Sequence, residues 1–507
     1  MKIKATSLFA LTACVPTFSI AQRYNIVYIM SDDHAQQMIS CYDERYMETP
    51  NIDRLADEGV RFDNSFVANS LSGPSRACML TGKHSHKNGF KSNERDRFDM
   101  SQPMLQKYLH EAGYQTAMIG KLHLNAWPTS GFDYWTLFSG QGDYYNPVFF
   151  NQDGSKEQVK GYVTDIVTDK SINWLEHRDK SKPFAIWVHH KAVHRDWMPP
   201  MQYLREFENK TFALPANFYD DYAGRQAAST AEMGIDKHMH LPYDVKIYSP
   251  GDQGGLASWY VGNVERLDSA DQKAYWAVYD SITADFKSRH LTGKALAEYK
   301  YQRYMRDYAK TVKSLDDNIG RIYDYLKANN LLDSTLIVYT SDQGFYMGEH
   351  GWFDKRFMYE ESLRTPLVMR LPKGLKAHGS IKEMVQNIDY APTMLDIAGV
   401  PTPKDMDGVS LLPLLKGERP KNWRKGIYYH FYEYPAEHAV KRHYGIRTNR
   451  YKLIHFYNDI DTWELYDLKK DPTEMNNLYG KPGTEKITKK LRQQLEELEK
   501  QYDAPKV

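Results

Sequence analysis

The sequence predicts an α/β protein: a large mixed sheet sandwiched by helices, plus a small C-terminal antiparallel sheet with a helix. Three observations carry this expectation. Apolar, β-branched runs at 24–30, 114–119, 184–188 and 334–340 read as buried strands. Segments of helical period at 163–177 and 296–329 lie between them, the pattern of strands joined by crossover helices. After residue 421 the pattern changes to short alternating runs at 426–432, 444–448, 451–456 and 463–467, followed by a charged helix at 485–502. The boundary is placed in the polar stretch near Lys421, giving a large domain over 22–420 and a C-terminal subdomain over 421–507.

A chain of 507 residues is long enough for a large core and a smaller partner. Its 66 Lys and Arg against 65 Asp and Glu leave a net charge of +1, which argues against a nucleic-acid coat and leaves room for a local basic pocket. The first 21 residues combine Lys2 and Lys4, a short apolar run and Ser19-Ile20-Ala21, the pattern of a secretory leader cut after Ala21. This predicts an exported, periplasmic protein; Leu11-Thr12-Ala13-Cys14 offers the alternative of a lipoprotein anchored through Cys14. No later run is long and apolar enough for a membrane helix. Cys41 and Cys78 alone follow that leader, too few for a disulfide framework.

Taken in order, the strand at 24–30 runs into Ser31-Asp32-Asp33-His34. Two adjacent carboxylates at the carboxyl end of a buried strand call for a cation, and oxygen ligands suit a hard divalent one; the competing reading is an Asp helix cap. Thr49-Pro50 opens a helix that Gly59 closes, and 60–67 reads as a strand leading to 69–82, NSLSGPSRACMLTG. Gly73 and Pro74 are expected to set Ser72 on a turn, with a helix starting near Ala77 and Arg76 returning its guanidinium to the serine. A small nucleophile, an arginine and a helix start suit attack on an anionic ester; a plain helix cap is the other reading.

The strand at 114–119 delivers Gly120-Lys121-Leu122-His123, where a continued extended chain places Lys121 and His123 on one face. The strand at 184–188 runs into His189-His190-Lys191-Ala192-Val193-His194, which resembles a zinc cluster only until the acidic pair upstream is considered. Residues 209–292 are polar and aromatic, read as a long irregular insertion. The strand at 334–340 delivers Ser341-Asp342-Gln343-Gly344, then Gly348-Glu349-His350-Gly351 and Asp354-Lys355-Arg356.

The run Ser72-x-Pro74-Ser75-Arg76 with Thr81-Gly82, together with the Asp-Asp pair, G-K-x-H and the late Asp-Gln motif, resembles the signature of the type I sulfatases of the alkaline phosphatase superfamily, in their serine branch. The resemblance spans roughly residues 25–478. It implies an alkaline-phosphatase-like sheet, oxidation of Ser72 to formylglycine by a serine-type maturase, and a Ca2+ ion held by Asp32, Asp33, Asp342 and Gln343. Gln343 stands where the family more often has Asn or His, and Val193 where A-P-H has proline. The same resemblance makes Arg76, Lys121 and Lys355 sulfate-binding cations, His194 the donor to the leaving oxygen and His123 the acceptor that releases sulfate from the formylglycine diol. The stretches 341–361 and 440–468 look most like bacterial N-acetylglucosamine-6-sulfatases, which implies exo-acting 6-O-desulfation with Asp354 and His443 gripping sugar hydroxyls. The alternatives are a sulfatase for galactose or N-acetylgalactosamine sulfates, a superfamily phosphatase or phosphodiesterase using unmodified Ser72, and a non-enzymatic binder of sulfated glycans, which would need a broken constellation.

Overall fold

The computed structural model describes residues 23–507. The expected leader and Cys14 lie outside the described residues. In chain order the large sheet uses β1 (Asn25–Ser31), β2 (Gly59–Phe62), β3 (Gln115–Lys121), β4 (Tyr134–Phe138), β5 (Val148–Asn151), β6 (Lys156–Gln158), β7 (Phe184–His189), β8 (Thr335–Ser341), β9 (Leu367–Arg370) and β10 (Gly379–Ile381). Their spatial order is β10-β2-β9-β8-β1-β7-β3-β4-β5-β6. The central strands β8, β1, β7, β3 and β4 are parallel, while β9 runs antiparallel to both β8 and β2.

Alternation along β1 explains the two-sided core. Val27 and Ile29 face one layer with Ile186, Val188, Ile337 and Tyr339; Ile26, Tyr28 and Met30 face the other with Ala185, Trp187, Leu336 and Val338. The main helices are α1 (Pro50–Asp57), α2 (Ser72–Thr81), α3 (Leu105–Glu111), α4 (Val163–His177), α5 (Gly255–Glu265), α6 (Ser269–Arg289), α7 (Gly293–Ala328), α8 (Tyr390–Ile397) and α9 (Glu485–Gln501). Residues of α4 and α7 pack in the first layer, and residues of α2, α3 and α8 in the second. The small sheet is antiparallel, in the order β11 (Gly426–Phe431), β12 (His443–Thr448), β13 (Tyr451–Phe456) and β14 (Thr462–Asp467), and α9 covers it.

Three local expectations change. The run at 60–67 is two strands, since Ser65–Phe66 leaves the large sheet to pair with Val385–Gln386. Residues 385–398, which the sequence predicts to be one helix, are a short strand and a 3-10 turn before α8. The insertion is irregular over 209–254 apart from a short helix at Gln226–Ser229, but α5 and α6 fill much of 255–289, and Asp268 caps α6 by accepting from the Asp271 amide.

Candidate active site

The site is made at the carboxyl edge of the parallel strands. β1 and β8 are in register to their last residues, Ser31 opposite Ser341. Asp32 and Asp342 therefore emerge side by side, and the Asp33 amide donates to Asp342 Oδ1 at 3.0 Å. The chain after β7 follows the same edge: the His190 amide donates to the Met30 carbonyl at 2.8 Å, and the Val193 amide to the Asp32 carbonyl at 2.7 Å. That path delivers His194 to the carboxylates, with its Nε2 3.7 Å from Asp33 Oδ2.

Ser72 enters from α2. The helix starts at Ser72 itself, not near Ala77. Gly73 and Pro74 do not break it, because proline in a first turn lacks only an amide that the helix leaves unpaired. Gly73 is needed for close approach: a Cβ there would stand 2.7 Å from the His123 carbonyl oxygen and 2.5 Å from the Phe90 ring. The Ser72 hydroxyl lies 3.0 Å from Asp32 Oδ1 and also donates to Asp342 Oδ2. Arg76, one turn on, donates through Nε and Nη2 to Asp342 Oδ2 at 3.1 and 3.0 Å. Cys78 is buried on the same helix, 3.6 Å from Ser85 Oγ, and burial pushes its thiol up to about 12, so it is inert.

The remaining cations close on the acids. Lys121 pairs with Asp32, and Lys355 lies 2.5 and 2.6 Å from the two Asp33 oxygens. Three carboxylates thus face three cations, all buried. Burial alone raises a carboxyl; at Asp342 the fields of Arg76, Lys121 and Lys355 overcome it and hold the group at about 2. At Asp33 burial prevails and the group is raised.

The donor set suits a hard divalent cation. Oxygens of Asp32 and Asp33 and a nitrogen of His194 lie within 4.8 Å of one another. Gln343 donates from Nε2 to Asp33, and its Oε1 is buried without a partner among the described residues. An orphaned amide oxygen beside three carboxylates fits an oxygen-seeking ion, and a bound dication would reverse the upward push on Asp33.

His123 arrives differently from the expectation. β3 ends at Lys121, and His123 has φ 56°, so the extended run does not continue. Gln141, from the turn after β4, joins the two residues: it accepts from Lys121, and its Nε2 lies 3.5 Å from His123 Nε2. The sequence carried no signal for Gln141 beyond its setting between Gly140 and Gly142.

Asp354 sits on the wall of the site rather than in this network. Both it and Arg356 have positive φ, 78° and 91°, which turns them away from Lys355 between them. Asp354 pairs with Arg356 and lies 3.3 Å from Nε2 of His438. Glu437 bridges Arg356 at 3.3 Å and Arg195 at 3.1 Å. The expectation for His443 is corrected. It is fully buried among Phe357, Tyr429, Phe431 and Phe456, its Nδ1 bonds the Lys441 carbonyl at 2.8 Å, and its Nε2 accepts from the Met358 amide at 3.0 Å. With both nitrogens used, it holds the small sheet to the 353–359 loop; the histidine that meets Asp354 is His438, five residues earlier. His350 orders the same loop through Asp220, 2.6 Å from its Nδ1. His189 bonds the Lys121 carbonyl at 2.9 Å, so the histidine run does not converge on one ion.

This fold and site define a class. A family model described as Sulfatase matches residues 24–400, and one described as N-sulphoglucosamine sulphohydrolase, C-terminal, matches residues 348–501. The chain belongs to the sulfatase family, the sulfuric ester hydrolases of the alkaline phosphatase superfamily. Among its relatives is an N-acetylglucosamine-6-O-sulfatase of Bacteroides thetaiotaomicron, 52% identical over 505 residues, covering 97% of this chain and 89% of the relative. The human N-acetylglucosamine-6-sulfatase is 25% identical over 452 residues, covering 83% of this chain and 70% of that protein. A solved complex of a protein with its substrate, D-glucosamine-2-N,6-O-disulfate, superimposes with a TM-score of 0.91 at 52% identity, covering 95% of this chain and 98% of the other.

Proposed function

We propose that the protein removes 6-O-sulfate from N-acetylglucosamine-type sugars at non-reducing ends, with Ser72 converted to formylglycine by a serine-type maturase and Ca2+ held by Asp32, Asp33, Asp342 and Gln343. The observation that carries this is the Ser72 hydroxyl, buried at a helix start between Asp32 and Asp342 and ringed by Arg76, Lys121 and Lys355. The 52% identical relative and the substrate complex support the choice of sugar. When present, hydrated formylglycine would supply one hydroxyl for attack on sulfur and a second for release of sulfate, and the cation would supply positive charge at the sulfate oxygens.

The chain's own residues account for the rest. Arg76, Lys121 and Lys355 face the carboxylates in this structure and are placed to share a sulfate's charge. The His194 Nδ1 donates to the Arg195 carbonyl at 2.5 Å, which leaves Nε2 to carry a proton to the leaving oxygen. Burial and the charges of Lys121, Lys355 and Lys191 lower its pKa well below the usual imidazole range. An anionic ester opposes those charges and favours protonation. His123 accepts a proton in the release step. Asp354, Arg356 and His438 form the wall that takes sugar hydroxyls.

Export rests on the sequence pattern of residues 1–21; among the described residues no helix is long and apolar enough to cross a membrane. The test is desulfation of N-acetylglucosamine-6-sulfate against galactose-6-sulfate, using protein made with the maturase, alongside a mass spectrum of the Ser72 peptide. Loss of two hydrogens at Ser72 and preference for the glucosamine sugar are expected. Preference for galactose-6-sulfate would overturn the sugar assignment, and turnover with an unmodified serine would move the protein to the phosphatase side of the superfamily.

A further inference from the structure

Residues 209–292 hold the turn His194-Arg195-Asp196 from two sides. The backbone of His194 is fixed by other groups: its carbonyl accepts from the Tyr144 hydroxyl at 2.6 Å and from the Trp197 amide at 3.3 Å. Among the described residues its ring makes one hydrogen bond, from Nδ1 to the Arg195 carbonyl at 2.5 Å. That carbonyl belongs to the peptide between Arg195 and Asp196, and both flanks of this peptide are gripped. On one flank Asp244 accepts from Arg195 Nε at 2.6 Å and from Nη2 at 2.9 Å. On the other, Asn263 of α5 donates to the Asp196 carboxylate at 2.5 Å, and the Lys246 ammonium donates to the Asp196 carbonyl. Asp244 and Lys246 are fully buried. Asp244 is itself anchored, since its Oδ2 also accepts from the His240 amide at 2.7 Å. A two-point pair between a guanidinium and a carboxylate fixes direction as well as distance.

We propose that Asp244 is a positioning residue for His194: through Arg195 it fixes the carbonyl that holds Nδ1, and so keeps Nε2 directed at the leaving oxygen. The proposal rests on the reading of His194 as the proton donor. It gives the long insertion a part in the chemistry, because a ring free to turn about its Cβ–Cγ bond delivers its proton less often along the right line. Sulfate binding is left alone, since Arg76, Lys121 and Lys355 make no hydrogen bond to Asp244, Lys246 or Asn263 among the described residues.

The test separates proton donation from sulfate handling by the choice of leaving group. The phenolate released from phenyl sulfate is basic and gains from a proton in the transition state; para-nitrophenolate is weakly basic and gains little. Arg195 also meets Glu437 on the wall, and neither aryl ester offers the wall a sugar hydroxyl. The two esters are compared by kcat/KM in calcium-loaded protein made with the maturase. Asp244→Asn keeps the shape of the side chain but can accept at one end only, so one arm of the pair is lost. Its rate on phenyl sulfate should fall about tenfold or more while the para-nitrophenyl ester stays within about twofold. Asn263→Leu frees the other flank without touching Arg195 and should shift the same ratio about threefold. A merely structural role would lower both esters together. Equal losses on the two esters in Asp244→Asn, or an unchanged ratio there, overturn the proposal; should that variant not fold, an unchanged ratio in Asn263→Leu does so. His194→Ala reads the donor role beneath it and should show the same selective loss, larger. A selective loss in His194→Ala with none in Asp244→Asn removes the positioning role alone, whereas equal losses in His194→Ala remove the donor role and the positioning role with it.

Discussion

The floor of the site and its wall are built in different ways. The floor is made of residues at strand ends or a few positions beyond them: Asp32 and Asp33 after β1, Lys121 at the end of β3, His194 past β7, Asp342 and Gln343 after β8. The register of a parallel sheet brings such positions together whatever else the chain does. The wall joins a loop at 353–359 to a segment at 437–443, far apart in sequence, through Asp354, Arg356, Glu437 and His438. On the proposed function, the floor takes the sulfate and the wall takes the sugar that carries it.

The sharpest way to break this division is to remove the nucleophile. Ser72→Ala is expected to abolish turnover, by roughly 10^4-fold or more, with little change in melting temperature. Comparable loss with a collapsed melting transition would make Ser72 a folding residue instead. Next in size are the wall residues. Asp354→Ala and His438→Ala should each lower kcat/KM for the 6-sulfated sugar about ten- to hundredfold, the cost of leaving charged or polar partners unpaired. His443→Ala should behave as a core mutation, destabilising by about 3 kcal/mol in denaturant titrations while the folded enzyme keeps its preference among sugars. Intact stability with lost sugar preference in His443→Ala would return His443 to the sugar site.

Legibility followed the same division. Asp32, Ser72, Lys121, His123, His194, Asp342 and Lys355 could be named because each stands in a short run whose strand or turn context is local. Nothing local in the sequence separates His438 from His443, two histidines in one polar segment. His438 lies in a 3-10 turn with positive φ, outside any strand, whereas His443 opens β12 and faces a packed aromatic cluster. The helices at 255–289 are hard to read in the sequence for another reason. The inner stripe of α6 is Tyr275, Val278, Tyr279 and Thr283, at helical spacing but all tyrosine or threonine except Val278, so it reads as polar surface. Those tyrosines are fully used inside: Tyr279 donates to Asp307 Oδ1 at 2.9 Å and Tyr275 to the Tyr260 hydroxyl at 3.1 Å.

Two smaller effects refine the comparison. Gln343→Ala removes the amide oxygen that has no protein partner. It should weaken calcium binding measured by titration calorimetry about ten- to hundredfold, with stability nearly unchanged in the presence of a chelator; unchanged affinity would take Gln343 out of the ligand set. The smallest is a pH effect on the wall's support. Burial would raise Asp220, but His350 and Arg225 hold it at about 2, below its ordinary 3.8. A depressed carboxylate stabilises the fold above the ordinary value, and that contribution is lost as pH falls toward 2. The melting-temperature advantage of the unmutated protein over Asp220→Asn should therefore be full at pH 5 and shrink below pH 4. An advantage that does not vary with pH would mean that the charge of Asp220 is not what holds His350.

The most direct test of a separable floor and wall is the ratio of kcat/KM for N-acetylglucosamine-6-sulfate to that for a simple aryl sulfate, measured in Asp354→Ala. The aryl ester needs the floor and offers the wall nothing to hold. The expected result is a sugar rate that collapses while the aryl rate stays within about twofold, so the ratio falls about ten- to hundredfold. Equal losses on both substrates would show that Asp354 acts on the sulfate through Lys355, and that floor and wall are one device.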